Sequence, residues 1–156
     1  MTGLPSDRLK ALGLTLPDVV PPLAAYVPAV WSGSLVFSAG QLPFSDGVLI
    51  ATGKVGVDVS VEVAADCARQ AAFNALAALA AEAGDLNAID RIVKVTVFVA
   101  GPPEFAEQPT VANGASDFLG TVFGDDGRHA RSAVGVASLP LDAPVEVEVV
   151  ASVGQR

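Results

Sequence analysis

An arginine near the end of the chain is the first residue whose type and surroundings suit ligand chemistry. Arg131 opens a predicted strand built of small and apolar residues. Small residues share its face of that strand: Ala133, Gly135 and Ala137. A guanidinium beside so little bulk indicates a pocket with an anchor for a carboxylate, which arginine binds through two parallel hydrogen bonds. The alternative is a structural ion pair with Asp125, Asp126 or Glu146.

A glutamate on a second strand is the next candidate. Glu146 lies in the run Val-Glu-Val-Glu-Val at 145–149, so its side chain shares a face with that of Glu148. A carboxyl group partly shielded from water has a raised pKa and can transfer protons near neutral pH. The alternative interpretation is that both are solvated strand carboxylates.

The sequence offers few residues for catalysis by a serine, histidine or cysteine side chain. His129 is the only histidine and no Gly-x-Ser-x-Gly motif occurs, so we expect His129 to be a loop residue rather than a base. Cys67 is the only cysteine, which excludes an intrachain disulfide and a Cys/His metal cluster. We expect it to be a buried, inert thiol. Gly53-Lys54 lacks the hydroxyl residue and the first glycine of a phosphate loop.

Composition limits the class of protein. The 156 residues are 51% hydrophobic and 17% charged, which predicts one folded domain over 1–156 without a linker. The formal net charge of −8 disfavours nucleic acid as a partner. No signal-like run opens the chain, and the longest apolar stretch, 71–81, is too short to cross a bilayer. We therefore expect a soluble cytoplasmic protein that does not bind membranes.

The elements that must position Arg131 and Glu146 follow from periodicity and capping residues. A first helix is predicted at 6–12, with Ser6 as its N-cap and Gly13 as its stop. Strands are predicted at 25–32, 35–39, 91–100, 132–137 and 145–153, and further helices at 60–83 and 109–123. Gly33-Ser34 is a predicted hairpin turn, and 40–58 a loop. This order predicts an α+β sandwich with both long helices on one face of the sheet.

The other face of that sheet is expected to be buried against a second subunit. It carries Ile92, Thr96 and Phe98 from one strand, a set too apolar to lie in water, so we expect a homo-oligomer. If 132–137 and 145–153 form a hairpin across 138–144, Arg131 and Glu146 lie roughly 13–20 Å apart along it. Either two subunits then supply the pair, or the two strands are not hairpin neighbours.

Three motifs together resemble the RidA/YjgF family over about residues 24–153. They are Arg-Ser-Ala-Val-Gly-Val-Ala-Ser-Leu-Pro at 131–140 followed by Val-Glu-Val-Glu at 145–148, Ser-Ala-Gly-Gln-Leu-Pro at 38–43, and Val-Thr-Val-Phe-Val at 95–99. Residues 1–23 are then an N-terminal extension, and the loop at 44–58 is longer than is usual in the family. The chain is therefore similar to a divergent subgroup.

The resemblance implies a fold, an assembly and a reaction. The fold is the chorismate-mutase-like sandwich with a mixed sheet and two helices on one face, and the assembly is a homotrimer with pockets between subunits. The best-known members hydrolyse small enamines and imines to 2-oxo acids and ammonia, using no metal or organic cofactor. The implied ligand is a small imino or oxo acid. Two alternatives are non-catalytic binding of a small carboxylate metabolite and, less favoured, endoribonuclease activity.

The resemblance also assigns residue roles. It places Arg131 at the carboxylate-binding position, Glu146 at the water-holding position, Tyr26 at the pocket mouth and Asn113 in the pocket. Ala133 stands where the deaminases commonly have cysteine.

A second departure from the deaminases lies at position 39. Ala39 replaces a common serine, for which the neighbouring Ser38 substitutes in part. The two alanines, Ala39 and Ala133, predict a roomier and less polar pocket.

Overall fold

A five-stranded sheet with two long helices on one face forms the core of the computed structural model, which describes residues 3–154. The strands are β1 (Ala29–Ser32), β2 (Leu35–Ser38), β3 (Phe44–Ser45), β4 (Val48–Leu49), β5 (Ile89–Ala100), β6 (Ala130–Val136) and β7 (Val145–Val153). The helices are α1 (Pro5–Ala11), α2 (Val61–Ala83) and α3 (Gln108–Phe123). This is the predicted α+β arrangement; residues 1–2 and 155–156 of the predicted domain lie outside the described part.

The sheet is mixed and has the order β1-β2-β7-β5-β6. β5 pairs in parallel with β6 and antiparallel with β7, so it separates the two strands that carry Arg131 and Glu146. The hairpin considered between those strands therefore does not form, and the alternative that they are not hairpin neighbours is confirmed. The reason is the crossover through α3. This helix returns the chain to the end of the sheet at which β5 begins, so β6 runs in the same direction as β5.

A bulge changes which side chains of β5 reach the core. Ile92 was expected on the open face but is fully buried, while Val93 is only half-buried. The register with β7 shifts between Ile92 and Lys94, and such a shift moves the following side chains to the other face. Beyond the shift, Thr96 and Phe98 lie on the open face as predicted, paired with the half-buried carboxylates of β7.

The termini of α2 are those that the sequence predicts. The Ser60 hydroxyl accepts a hydrogen bond from the backbone N–H of Val63 at 3.2 Å, and Gly84 ends the helix in the left-handed region with φ +92°. α3 begins one residue earlier than predicted, at Gln108.

The first helix begins earlier than predicted, and Ser6 is not its N-cap. Leu4 holds the cap position, and Pro5 fits the first turn because its φ is already helical. The Asp7 carboxylate accepts from the Leu4 N–H at 3.3 Å. Ser6 instead ties the extension to the turn between α2 and β5, since its hydroxyl accepts from the Asn87 amide at 2.9 Å.

The first hairpin is shorter than predicted on one side. β1 begins only at Ala29, directly after Pro28, which lacks the N–H that a paired strand residue would donate. Gly33 makes the predicted turn with φ +61°. Within the segment predicted as a loop, β3 and β4 form a separate small hairpin.

The two long helices approach each other closely at a glycine. A Cβ placed on Gly114 would overlap the carbonyl group of Ala65 in α2 and lie 2.7 Å from its carbon. Gly114 therefore allows a helix contact that no other residue permits at this distance. Gly120, six residues later in the same helix, has no atom within 4 Å of such a Cβ.

The face of the sheet away from the helices remains partly apolar. Val30 is 50% exposed, Phe37 40% and Val134 41%, and they come from β1, β2 and β6. The half-buried Glu146 and Glu148 lie on the same face. Between residues 3 and 154, no helix is both long and apolar enough to span a bilayer.

Substituting the two α3 glycines by alanine should change stability in opposite directions. Gly114→Ala should lower the free energy of unfolding by about 1–3 kcal/mol, because the added methyl forces α3 away from α2. Gly120→Ala should raise it by up to about 1 kcal/mol, because alanine favours the helix and meets nothing. Urea denaturation of both variants and the wild type measures this. Equal effects at the two positions would contradict the close contact.

Candidate functional site

Arg131 braces the edge strand β6 against α3. Its side chain lies on the helix side of the sheet, since its ladder partner Val95 is buried there. Nη1 donates to the Asn113 side-chain oxygen at 2.8 Å and to the Ser116 hydroxyl at 3.2 Å, and Nη2 donates to the Pro109 carbonyl at 3.4 Å. The three acceptors are spaced i, i+4 and i+7, so one face of α3 holds the guanidinium.

The brace leaves one edge of the Arg131 guanidinium available. Of its five N–H groups, three donate to α3, and Nε–H and one Nη2–H remain on a common edge. That edge matches the two oxygens of a carboxylate. Among the described residues no carboxylate lies within salt-bridge distance of Arg131, because Asp125 pairs with Arg128 and Asp126 with Arg91. The ion-pair alternative is therefore wrong.

Two further side chains complete this cluster. The His129 Nδ1 lies 2.6 Å from the Gly127 carbonyl oxygen, and its Nε2 lies 2.9 Å from the Ser116 hydroxyl oxygen. His129 is thus held on both ring nitrogens, which the loop interpretation did not predict. Sequence reasoning missed Ser116; its position three residues after Asn113, on the same helix face, was the available signal.

Small residues continue the surface of β6 beyond Arg131. Ala133 is half-buried on the same face, and Gly135 follows it. Near Gly135 lies a cavity of about 430 Å³ that Lys54, Phe105 and Gln108 also line. Neither Arg131 nor Ala133 lines this cavity, so it lies beside the far end of β6, and the pocket predicted beside the guanidinium stays a prediction.

Glu146 lies on the opposite face of the sheet. It pairs with Phe98 of β5, and its carboxyl group packs directly on the backbone of Gly40. A Cβ at position 40 would overlap that carboxyl group and lie 2.8 Å from its carbon, so any larger residue there would displace the Glu146 carboxyl group from this position. Burial first, and the nearby charge of Glu148 second, raise the pKa of Glu146.

Within one chain, Arg131 and Glu146 do not meet. Their ladder partners on β5, Val95 and Phe98, are three residues apart, and each strand lies one spacing to either side of β5. This geometry separates the two Cα atoms by roughly 14 Å and directs the side chains to opposite faces. The structure thus divides the predicted site residues into two groups.

The segment after β2 belongs with Glu146. Ser38 ends β2, and its hydroxyl accepts from the backbone N–H of Val149 at 2.9 Å, where the strand departs from β7. Pairing resumes at Gln41, which exchanges two backbone hydrogen bonds with Val147. Ala39 is half-buried in this detour.

Tyr26 also lies toward this end of the molecule. The residue is 46% exposed and borders a small cleft with Gln41 and Leu42. The Tyr26 hydroxyl accepts from the backbone N–H of Leu23 at 3.2 Å. The second group of predicted residues is therefore Tyr26, Ser38, Ala39 and Glu146, and the first is Arg131, Asn113 and Ala133.

Cys67 belongs to neither group. It is fully buried in α2, and burial raises the pKa of its thiol to about 11. A thiol that holds its proton so firmly is a poor nucleophile, as the sequence predicts.

Comparison with known proteins identifies the family. A protein family described as "YjgF/chorismate_mutase-like, putative endoribonuclease" matches residues 6–153. Protein TCP17 of Trypanosoma cruzi is 43% identical over 148 residues, covering 94% of this chain and 92% of that protein. A 2-iminobutanoate/2-iminopropanoate deaminase of Salmonella typhimurium is 36% identical over 129 residues, covering 83% and 88%.

A solved structure extends the match to three dimensions. A protein of unknown function from Agrobacterium tumefaciens has a TM-score of 0.88 and 48% identity, over 96% of this chain and 92% of that one. The mixed sheet with two helices on one face agrees with the fold that the family description names. On the motifs, the architecture and these matches, the chain belongs to the RidA/YjgF family.

Proposed function

We propose that the protein hydrolyses small 2-imino acids to 2-oxo acids and ammonia. The observation that carries the proposal is the Arg131 guanidinium, which α3 holds in place while its Nε–Nη2 edge stays available for a carboxylate. A relative that is named as a 2-iminobutanoate/2-iminopropanoate deaminase supports the same substrate class.

The proposed reaction needs orientation and one proton-transfer group. Arg131 binds the substrate carboxylate and so fixes the position of the electrophilic C2 carbon. Glu146 holds a water molecule and accepts its proton as the oxygen attacks C2. The carbinolamine takes a proton on nitrogen and expels ammonia, leaving the 2-oxo acid. Imines are electrophilic, so positioning plus one acid/base residue suffices.

This chemistry requires more than one chain. Since Arg131 and Glu146 lie on opposite faces of their own sheet, the water-holding carboxylate at Arg131 is that of Glu146 of the partner subunit. The exposed Val30, Phe37 and Val134 on the open face support burial of that face in an assembly. We therefore propose a homotrimer with three equivalent sites between subunits.

Binding without turnover is the alternative that the residues favour next. Ala39 and Ala133 stand where the deaminases commonly have polar side chains, so Arg131 could hold a carboxylate metabolite that is not hydrolysed. Turnover of an imine generated in the assay by an amino-acid oxidase distinguishes the two functions. The family description also names an endoribonuclease. The net charge of −8 disfavours that activity, because it repels the phosphate backbone of RNA.

Replacing Arg131 should abolish both turnover and binding of a 2-oxo acid. Arg131→Ala removes a charged two-point contact, which should cost about 2–5 kcal/mol in calorimetric binding of a 2-oxo acid. Arg131→Lys should rescue poorly because an ammonium lacks the planar pair of donors. The matched control is Arg91→Ala, an exposed arginine paired with Asp126 at 3.9 Å. Full activity of Arg131→Ala would remove this residue from the site.

Mixing two inactive variants should restore activity if the site spans subunits. In a cyclic trimer containing both Arg131→Ala and Glu146→Ala chains, one of the three interfaces always joins an intact Arg131 to an intact Glu146. Verified mixed trimers should therefore show roughly one third of wild-type activity. Trimers of either variant alone are the controls. Inactive mixed trimers, or an active monomer in sedimentation, would contradict the shared site.

The buried carboxyl group should also make stability depend on pH. The pKa of Glu146 is higher in the folded protein than in the unfolded chain, so the folded protein binds this proton more tightly. Proton binding therefore contributes to the free energy of unfolding at low pH, and this contribution is lost as the pH rises through the folded pKa. The free energy of unfolding of Glu146→Gln, taken relative to that of the wild type, should therefore be higher at about pH 7 than at about pH 4. Urea denaturation at both pH values measures the difference.

The control for that measurement is Glu148→Gln. It removes the same charge from the same face but keeps the Glu146 carboxyl group and most of the pH dependence. If the two variants shift the pH dependence equally, burial is not the cause of the raised pKa of Glu146.

A further inference from the structure

Ser116 and His129 form a hydrogen-bonded pair beside an open cavity. The Ser116 hydroxyl oxygen lies 2.9 Å from His129 Nε2, and His129 Nδ1 lies 2.6 Å from the Gly127 carbonyl oxygen. A carbonyl only accepts, so Nδ1 carries the ring hydrogen of the neutral imidazole. Nε2 then presents its lone pair to Ser116, whose hydroxyl donates to it. This is the arrangement of a nucleophile, a base and a group that orients the base.

The loop that carries His129 is built to reach α3. A Cβ on Gly127 would lie 2.6 Å from the Leu119 carbonyl oxygen and 2.9 Å from the Gly120 Cα, so only glycine allows the contact. That contact fixes the carbonyl group which orients His129.

Gly120 leaves the space in front of Ser116 open. It lies one helical turn after Ser116, and no atom lies within 4 Å of a Cβ added there. The resulting cavity has a volume of about 330 Å³, and Arg131 and His129 also line it. Arg131 Nη1 donates to the Ser116 oxygen at 3.2 Å, so its positive charge lies beside that oxygen and favours the negative charge that develops there as His129 takes the proton.

We propose that Ser116 is a nucleophile, activated by His129, that takes acyl groups from short-chain carboxylic esters. The Ser116 oxygen bonds to the ester carbonyl carbon while its proton moves to His129 Nε2. The carbon–oxygen bond to the alcohol then breaks, and the leaving oxygen takes that proton. Water attacks the resulting acyl-serine by the same route, releasing the carboxylic acid and restoring the hydroxyl. This activity is separate from imine hydrolysis, because it needs neither Glu146 nor a second subunit.

Covalent labelling of the full-length protein tests the proposal. A fluorophosphonate probe should label the wild type, with the modified peptide containing Ser116 in mass spectrometry, and the protein should hydrolyse 4-nitrophenyl acetate. Ser116→Ala should lose both signals, and His129→Gln should slow both by roughly 100-fold, the usual contribution of a general base. Thr121→Ala is the matched control, since the Thr121 hydroxyl only donates to the Asp117 carbonyl of its own helix at 2.9 Å.

The variant Gly120→Leu tests whether the open cavity is needed while the hydrogen-bonded pair of Ser116 and His129 is kept. The substitution leaves Ser116 and His129 unchanged in sequence and fills the space in front of Ser116, so labelling should fall while the far-ultraviolet circular dichroism stays that of the wild type. Absence of labelling in the wild type, labelling at another residue, or unchanged rates in His129→Gln or Gly120→Leu would overturn the proposal. Since Glu146→Ala keeps the pair, it should label normally even if imine hydrolysis is lost.

Discussion

The pairing of β5 with both β6 and β7 is the constraint on which the rest of the structure depends. β5 runs parallel to β6 and antiparallel to β7, so it fixes the register of the two strand residues proposed to bind and react, Arg131 and Glu146. Because ladder partners share a face, Arg131 follows the buried Val95 to the helix side and Glu146 follows Phe98 to the open side. The proposed imine hydrolysis therefore requires an assembly, and the partly apolar open face is the surface proposed to form it.

Close contacts at three glycines position the functional side chains. Gly114 brings α3 against α2, which places the helix face that braces Arg131. Gly127 brings the loop before β6 onto α3 and so sets His129 against Ser116. Gly40 makes room for the carboxyl group of Glu146. At Gly114 and Gly127 a side chain would overlap neighbouring backbone, so the positions of Arg131, Ser116 and His129 depend on backbone packing, whereas at Gly40 it would displace only the Glu146 side chain.

The same guanidinium serves two proposed chemistries from different edges. Its Nη1 group faces Ser116 and Asn113 on α3, while the Nε–Nη2 edge is left for a carboxylate. A cation that is fixed by neutral acceptors keeps its full charge for a ligand, because no carboxylate among the described residues neutralises it. This explains how one arginine on an acidic protein can serve as an anion site.

The sequence by itself determined the local elements and the character of the site. Ser60 and Gly84 marked the ends of α2, and alternating valines marked β7 from Val145 to Val153, because capping and period-two burial act over a few residues. The motifs around Arg131 and Glu146 were likewise readable. Only the tertiary structure decided that β5 separates their strands, that a bulge buries Ile92, and that Ser116 meets His129. Those outcomes depend on strand order, register and helix contacts between segments far apart in the chain, which no local pattern encodes.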